Sequence, residues 1–456
     1  MRKGGVRLNV FLVIHHTLRQ WLGDGIFRRI FKNAGLLLSG RAATGLLSLA
    51  TLSISARGLG VEQFGILVLV QSYAQIVTTL TTFQSCQALI RYGAISLEQN
   101  NTRAFQVLLK FATLLDAVGG SLGVAVGYFA APLAGLYMGW SKEVVEYAQI
   151  YSVLILFTAC ATPTGVLRLF DRFDLLALQT TITPLFRLIG VAIAAALSAP
   201  FWAYLLAWLI AQLVGGAMLV YMGWREVARR EHLRGLNASF KGLTADHGGI
   251  LRFTILSNLY MALQIITGQL SIFLVGFLAG PSAAGIFKIG RDAATVLARP
   301  AELLNQSIYP EFTRLGSRGN WSDLTRLVLR GAAVATGGGA FMFALTIAFG
   351  SPILELFFGQ GFTAAYLPLI LLVGAAGLAI IGFPLDAALF AMGRAGVPLR
   401  ISTGVTFVIH LPLLILLTRA YGPTGAGIAT LAASALTLGA MTAITAIHLR
   451  RHLVAT

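Results

Sequence analysis

Charge is scarce in this chain. Of its 456 residues only 11% are charged, against roughly 25% in an ordinary soluble protein, and the 17 acidic side chains are outnumbered by 34 basic ones. Cysteine is scarcer still. Cys86 and Cys160 both lie in apolar segments and offer neither a disulfide framework nor a thiolate metal set. No G-x-x-x-x-G-K-[ST] sequence is present, so this chain is not expected to hydrolyse ATP, and neither a cofactor nor a metal is expected. The first 32 residues lack the long apolar run and the small-residue cleavage site of a secretory signal, since Val10–Ile14 is too short. Phe11, Ile14, Leu18, Trp21, Leu22 and Ile26 recur there among basic residues. That pattern suits an amphipathic helix lying on an anionic cytoplasmic leaflet, with a disordered basic tail as the alternative.

What is abundant is apolar sequence, 57% of the chain, in long stretches that recur from end to end. A spanning helix needs about 20 such residues, and only helices or closed barrels satisfy their own backbone groups in lipid. The stretches are continuous rather than alternating, which excludes a barrel. They predict twelve helices near 33–56, 64–90, 106–134, 147–167, 176–198, 201–223, 253–279, 284–310, 331–350, 363–390, 400–418 and 424–448. The net charge of +17 follows this plan. Arg2, Lys3, Arg7, Arg19, Arg28, Arg29 and Lys32 precede the first helix, and basic residues crowd every second loop, most densely from Arg225 to Arg252. The alternate loops hold only Arg57, Lys142 and Arg419. By the positive-inside rule both termini are cytoplasmic, and the charge is an orientation signal rather than a nucleic-acid footprint.

The two halves of the chain echo each other. Gly60-Val61-Glu62-Gln63-Phe64-Gly65-Ile66 follows the first predicted helix and Gly280-Pro281-Ser282-Ala283-Ala284-Gly285-Ile286 the seventh. In the same frame Met138-Gly139 matches Phe358-Gly359, Pro163 matches Pro384, and Leu169–Arg172 matches Ala391–Arg394. Six helices per half return the chain to the same side, giving parallel repeats about an axis along the membrane normal. The expectation is an all-α membrane protein of about twelve helices in two six-helix lobes around a central cavity. Residues 1–32 form a cytoplasmic basic segment, 33–223 the first lobe, 224–252 a cytoplasmic connection, 253–448 the second lobe and 449–456 a cytoplasmic tail. Transporters of this design hold substrate between the halves and rock one against the other.

Intramembrane polar residues mark the cavity. Lys288, Arg291, Thr295, Arg299, Glu302 and Gln306 on the eighth helix fall within an arc of roughly 80° at about 100° per residue. Lipid does not tolerate such a face, which must line water or pair internally. Arg41, Thr44, Ser48, Thr51 and Ser55 share a face of the first helix, Gln71, Gln75, Thr78, Thr82 and Ser85 one of the second, and Ser257, Gln264 and Ser271 one of the seventh. These weaker faces suit interhelical hydrogen bonds of about 0.6 kcal/mol each equally well. Arg291 with Asp292 and Arg299 with Glu302 read alternatively as self-neutralising pairs, and Lys110 with Asp116 as a structural pair. Arg187 has no acidic neighbour in sequence, and Asp386, beside Pro384, suits a proton or ion site or a cap at a kink. Arg41, Lys110, Arg187, Lys288, Arg291 and Arg299 outnumber Asp116, Asp292, Glu302 and Asp386, six against four. A cationic cavity favours an anionic substrate, and arginine suits phosphate or carboxylate.

The run Ala56-Arg57-Gly58-Leu59-Gly60-Val61-Glu62-Gln63-Phe64-Gly65-Ile66 resembles the R-x-LG-x-x-x-FG segment after the first helix of Wzx-type polysaccharide flippases. Phe357-Phe358-Gly359-Gln360-Gly361-Phe362-Thr363-Ala364-Ala365 resembles their FG-x-x-F-x-x-A segment, and Gly393-Arg394 their following loop. The resemblance spans roughly residues 33–448 and is shared with the wider multidrug/oligosaccharidyl-lipid/polysaccharide exporter superfamily. It implies a MATE-like pair of lobes. It also implies translocation of an undecaprenyl-pyrophosphate-linked oligosaccharide across a bacterial inner membrane, for lipopolysaccharide O-antigen or exopolysaccharide assembly. A monomer working beside membrane lipids and a polysaccharide polymerase is the implied setting. The peptidoglycan-precursor flippases usually carry fourteen helices, which sets this chain apart from them. No catalytic residue transfers. The candidate cavity residues are Arg41, Arg187, Lys288, Arg291, Arg299 and Gln306, and the candidates for ion coupling are Asp116, Glu302 and Asp386. A drug exporter of the same superfamily, and less readily a membrane-embedded polymerase or ligase, are the rival readings.

Overall fold

A computed structural model describes the backbone of residues 25–83, 85–158, 160–231, 248–319, 321–394 and 396–454. The side chains of 25–43, 256–257, 259–267, 299–311, 313, 317 and 450–454 lie outside the described residues. The first lobe comprises α1 (Gly25–Thr81), α2 (Ser85–Glu98), α3 (Thr102–Met138), α4 (Lys142–Ser152), α5 (Ile155–Thr158), α6 (Thr162–Leu169), α7 (Phe173–Ala196) and α8 (Phe201–Arg229). The second comprises α9 (Ile250–Ala279), α10 (Pro281–Ser317), α11 (Trp321–Phe358), a 3₁₀ turn (Gln360–Ala365), α12 (Tyr366–Ala391), α13 (Gly396–Gly404), a π-helical turn (Val405–His410) and α14 (Leu411–Val454).

Among the described residues these elements make twelve passes. α1 turns back at Gly60 and α14 at Gly422, so each supplies more than one pass, while α4–α6 together make a single one. Eight helices among the described residues are long and apolar enough to cross a membrane, two of them 54 or 55 residues long. α10 is not among them because its polar stripe dilutes its apolar content.

The repeat is visible in the backbone. Five connections of the first lobe carry a left-handed residue, and each has a counterpart in the second. Gly60 (φ 72°) pairs with Gly280 (87°), Asn100 (53°) with Gly319 (66°), Gly139 (65°) with Gly359 (92°), Asp171 (56°) with Gly393 (72°), and Ser198 (46°) with Gly422 (57°). Gly60 and Gly280 also share ψ, 176° and 172°, an extended positive-φ conformation open essentially to glycine alone. The repeat is imperfect, because α12 passes through Pro384 unbroken whereas the pass containing Pro163 is broken into α4–α6.

Helices in lipid associate by close packing rather than by hydrophobic burial, so small residues set the contacts. Gly65 and Gly285, equivalent in the repeat, pack against each other: a Cβ on Gly285 would lie 3.2 Å from the Gly65 Cα, and one on Gly65 would strike the Pro281 carbonyl. Equivalent residues meet each other only where a two-fold axis passes. On the basic side, the start of α9 docks on the first lobe, with Tyr92 and Phe253 edge to face at 5.8 Å and Arg91 4.7 Å above the Phe253 ring. Arg172 and Arg230 both grip the buried Glu226 carboxylate, at 2.8 and 2.9 Å, tying the α6–α7 turn to the end of α8.

The structure revises several expected boundaries. The described part of the first helix starts at Gly25, so the amphipathic segment 1–32 lies mostly outside the described residues. α8 continues to Arg229 and α9 starts at Ile250, while residues 232–247 lie outside them. The tail 449–456 is helical to Val454. The second and fourth predicted helices are broken, a feature that apolar content alone does not register.

Candidate functional site

Two polar centres sit within the helical layers. The first is at the two breaks. Asp116 is buried on α3, a helix whose Gly119, Gly120, Gly123 and Gly127 leave room for the interrupted backbones beside it. One carboxylate oxygen accepts from the Ser85 hydroxyl at 2.6 Å, at the start of α2, and the other from the Thr162 backbone N–H at 2.7 Å, at the start of α6. One carboxylate thus accepts from a backbone N–H freed at the start of α6, where negative charge is favoured, and from a side-chain hydroxyl at the start of α2. Its partners are Ser85 and Thr162 rather than Lys110, which stands six positions away and on another face of α3.

The second centre is a cavity of about 880 Å³ in the second lobe, walled by α9, α10, α12, α13, the π-helical turn and α14. Arg291 and Asp386 both line it, together with Ser271, Ser402, His410 and Thr430. The Arg291 guanidinium donates to the Gly268 carbonyl across the cavity wall. An added Cβ at 268 would meet the guanidinium and require the Arg291 side chain to shift. Asp292 does not neutralise Arg291; it pairs with Lys288 at 2.8 Å. Asp386 keeps one buried oxygen without a partner, and no ion pair joins it to Arg291 among the described residues. The cavity therefore offers a guanidinium and a carboxylate that do not cancel each other. His410 lies 3.4 Å from the Thr430 hydroxyl.

The candidates from sequence divide accordingly. Arg291 and Asp386 come together in one cavity. Lys288 is engaged by Asp292, and Asp116 sits at the breaks in the other lobe. Arg187 is inside the first lobe, its guanidinium 4.6 Å above the buried Trp208 ring, with the Trp208 Nε1, the Tyr151 hydroxyl and its own Nε all lacking partners. The side chains of Arg41, Arg299, Glu302 and Gln306 lie outside the described residues. On the first helix Thr44 bonds the Thr180 carbonyl and Thr51 its own helix, the interhelical and intrahelical uses that compete with lining a cavity. His410 and Ser402 were missed, although Thr430, Ser434 and Thr437 at spacings of 4 and 3 on the last helix signal this wall.

The two motif segments meet across the lobes on the charge-poor side. Arg57 donates from Nε to the Phe357 carbonyl at 2.9 Å and from Nη2 to the Leu356 carbonyl, and the Ser53 hydroxyl also donates to Phe357. A guanidinium at the last carbonyls of α11 is favoured by their unpaired lone pairs and by the helix dipole. Phe64 and Phe362 stack edge to face at 5.6 Å. Below them Gly276 admits Leu69, and Ser72 reaches Gln269 at 3.5 Å.

The chain matches the family described as polysaccharide biosynthesis protein over residues 30–316. It is 32% identical over 350 residues to the inner membrane protein YghQ of Escherichia coli (strain K12), covering 77% of this chain and 98% of that one. Among solved structures, it resembles the lipid II flippase MurJ in an inward closed conformation at a TM-score of 0.68 and 15% identity, covering 89% of this chain and 86% of that one. A multidrug resistance MATE family transporter in an inward-facing conformation gives 0.67 at 15% identity, over 92% and 96%. Two repeated helical lobes around a polar cavity and these likenesses agree on an all-α membrane fold shared with the MurJ and MATE structures, and the chain belongs to the family described as polysaccharide biosynthesis protein.

Proposed function

We propose that this protein flips an anionic lipid-linked oligosaccharide, of the undecaprenyl-pyrophosphate type, across a bacterial inner membrane by alternating access. The observation that carries the reading is Arg291. A guanidinium stays charged, a charge at mid-bilayer costs roughly 2.5–3.5 kcal/mol, and this one faces a cavity while the nearest carboxylate on its helix is committed to Lys288. Its fork suits the paired oxygens of a pyrophosphate. Asp386, held apart in the same cavity, takes the role of coupling the cycle to a proton or cation. Residues 33–223 and 253–448 act as the rocking lobes, and 224–252 as their cytoplasmic connection. The inner-membrane location follows the name of the Escherichia coli relative, and the basic loops place both termini in the cytoplasm. On that orientation the contact of Arg57 and Phe64 with Phe357 and Phe362 shuts the periplasmic side, and the cavity awaits substrate from within.

The test is transport by the purified chain in proteoliposomes, read as loss of a headgroup-labelled polyprenyl-pyrophosphate oligosaccharide to an impermeant quencher. Arg291→Ala is expected to abolish flipping while the protein inserts and unfolds as before, and Arg291→Lys to restore part of it. Flipping at the wild-type rate by Arg291→Ala overturns the assignment.

A further inference from the structure

Behind the polar cavity lies a second, different space. It is a groove of about 460 Å³ between α10, α11 and α12, lined almost wholly by apolar and small residues. Its floor is the glycine and alanine face of α11, Gly331, Ala335, Gly338 and Gly339, against Gly377 of α12. α11 and α12 pack backbone to backbone at the last two of these, where a Cβ on Gly339 would lie 3.6 Å from the Gly377 Cα. Val334 and Phe341 on its rim are 67% and 63% exposed, so the groove opens outward, where the bilayer lies. Two features separate it from an ordinary furrow between helices. Among the described residues that line it Arg330 alone is charged, near the basic-side end of α11, and no carboxylate is paired with it among the described residues. Nine residues separate Arg330 from the start of α11, or about 13 Å at 1.5 Å per residue, which places it near the membrane interface. The second feature is its wall. Ala294, Ala298 and Ala376 line both the groove and the cavity that holds Arg291, so a single layer of alanines divides the two.

We infer that this groove seats the isoprenoid tail of a polyprenyl-phosphate lipid as it enters, with its phosphate resting first at Arg330 and passing from there to Arg291. The inference rests on the flippase reading above and names where the lipid part of that substrate rests. The chemistry of the two spaces is that of the two ends of such a molecule: a polar, partly charged cavity for the glycan and an apolar channel for the hydrocarbon, side by side. A straight acyl chain covers a helix surface without needing a recess. A methyl-branched isoprenoid chain is bulkier, and the missing side chains at Gly338, Gly339 and Gly377 supply depth for it. A cation at the interfacial end fixes which way round the molecule lies. The tail then stays in a lipid-facing slot while the headgroup moves, as flipping requires of a molecule that never leaves the membrane.

A Cβ at Gly338 meets nothing within 4 Å, so a large side chain there fills the groove without displacing protein. Gly337, one residue along and equally open, is not part of the groove and serves as the control. Purified full-length protein in lipid nanodiscs is titrated with a C55 polyprenyl phosphate, and separately with phosphatidylglycerol, and bound lipid is counted by native mass spectrometry. Wild type and Gly337→Phe are expected to retain the polyprenyl phosphate in preference to phosphatidylglycerol. Gly338→Phe is expected to weaken it at least about tenfold, and Arg330→Gln severalfold. Arg330→Gln lies at the interface, outside the packed glycine face, and reports on the site even if Gly338→Phe unfolds. Equal binding by Gly338→Phe and Gly337→Phe, undiminished binding by Arg330→Gln, or equal retention of phosphatidylglycerol by wild type overturns the inference and leaves the flippase reading standing. Failure of wild type to bind any polyprenyl phosphate removes both.

Discussion

At the scale of the residue, a charge in this protein is informative according to what it lacks. Arg291 faces a cavity, whereas Arg187 faces aromatic rings. Cation–π contact with Trp208 contributes on the order of 2 kcal/mol to a desolvated guanidinium, well short of the cost of burying a charge with no counter-ion. Trp208 Nε1, the Tyr151 hydroxyl and the Arg187 Nε are also buried without a hydrogen-bond partner among the described residues. If Arg187 served packing alone, a long apolar side chain of similar reach would serve better. Arg187→Met is therefore expected to hold or raise thermal stability, measured by unfolding in detergent, while lowering flipping severalfold. A variant that transports normally assigns Arg187 to structure. The sequence marked Arg187 correctly as having no acidic neighbour, because adjacency along a helix is readable from spacing. The pairings of Asp116 with Lys110 and of Asp292 with Arg291, weighed as alternatives from sequence, give way to Ser85, Thr162 and Lys288, partners chosen by packing or by an i,i+4 geometry that competes with the adjacent pair.

At the scale of the element, the helices carry their function where they are irregular. The passes themselves were legible, since long apolar runs and a charge bias leave little freedom in lipid. Their interruptions were not. The breaks before Ser85 and Thr162 fall where the sequence carries no glycine or proline ahead of the new helix, and the glycine face of α3 together with one carboxylate accommodates them. The motif segments were legible as patterns but silent about purpose. In the fold they form one latch: Arg57 on the end of α11, Phe64 against Phe362, and Val61 beside Gly361, where an added Cβ would lie 2.9 Å from Cγ2 of Val61. Alternating access requires this contact to part. A cysteine pair at Val61 and Gly361, in a background with Cys86 and Cys160 replaced by serine, is expected to cross-link under mild oxidation and stop flipping, with reduction restoring it. Cross-linked protein that still transports shows that the latch stays closed through the cycle. Arg57→Gln keeps one donor group but loses the charge at the helix terminus, and is expected to weaken the closed state without abolishing it.

At the scale of the whole molecule, the two lobes are one plan used twice, and the surplus of positive charge orients it. Left-handed residues recur at the same five connections, and Gly65 touches Gly285 where the two-fold axis must pass. An even number of passes per lobe puts both lobes the same way up, so one orientation signal serves both, and the basic residues of alternate loops all vote alike. On the proposed orientation the glycine turns at Gly139 and Gly359 are periplasmic, and Asn100, Gly319 and the end of α14 cytoplasmic. Single cysteines at 139, 359, 100 and 319, in the same background without Cys86 and Cys160, can be labelled in intact cells with an impermeant maleimide. Labelling at 139 and 359 alone is the expected outcome. The symmetric pairs make the measurement self-checking: 139 must agree with 359, and 100 with 319. Labelling of 139 without 359 breaks the parallel repeat, and labelling of 100 and 319 alone inverts the protein. Inversion turns the Arg57 latch to the cytoplasm and leaves Arg330 on the periplasmic side, the wrong end from which to receive a lipid-linked precursor made inside the cell.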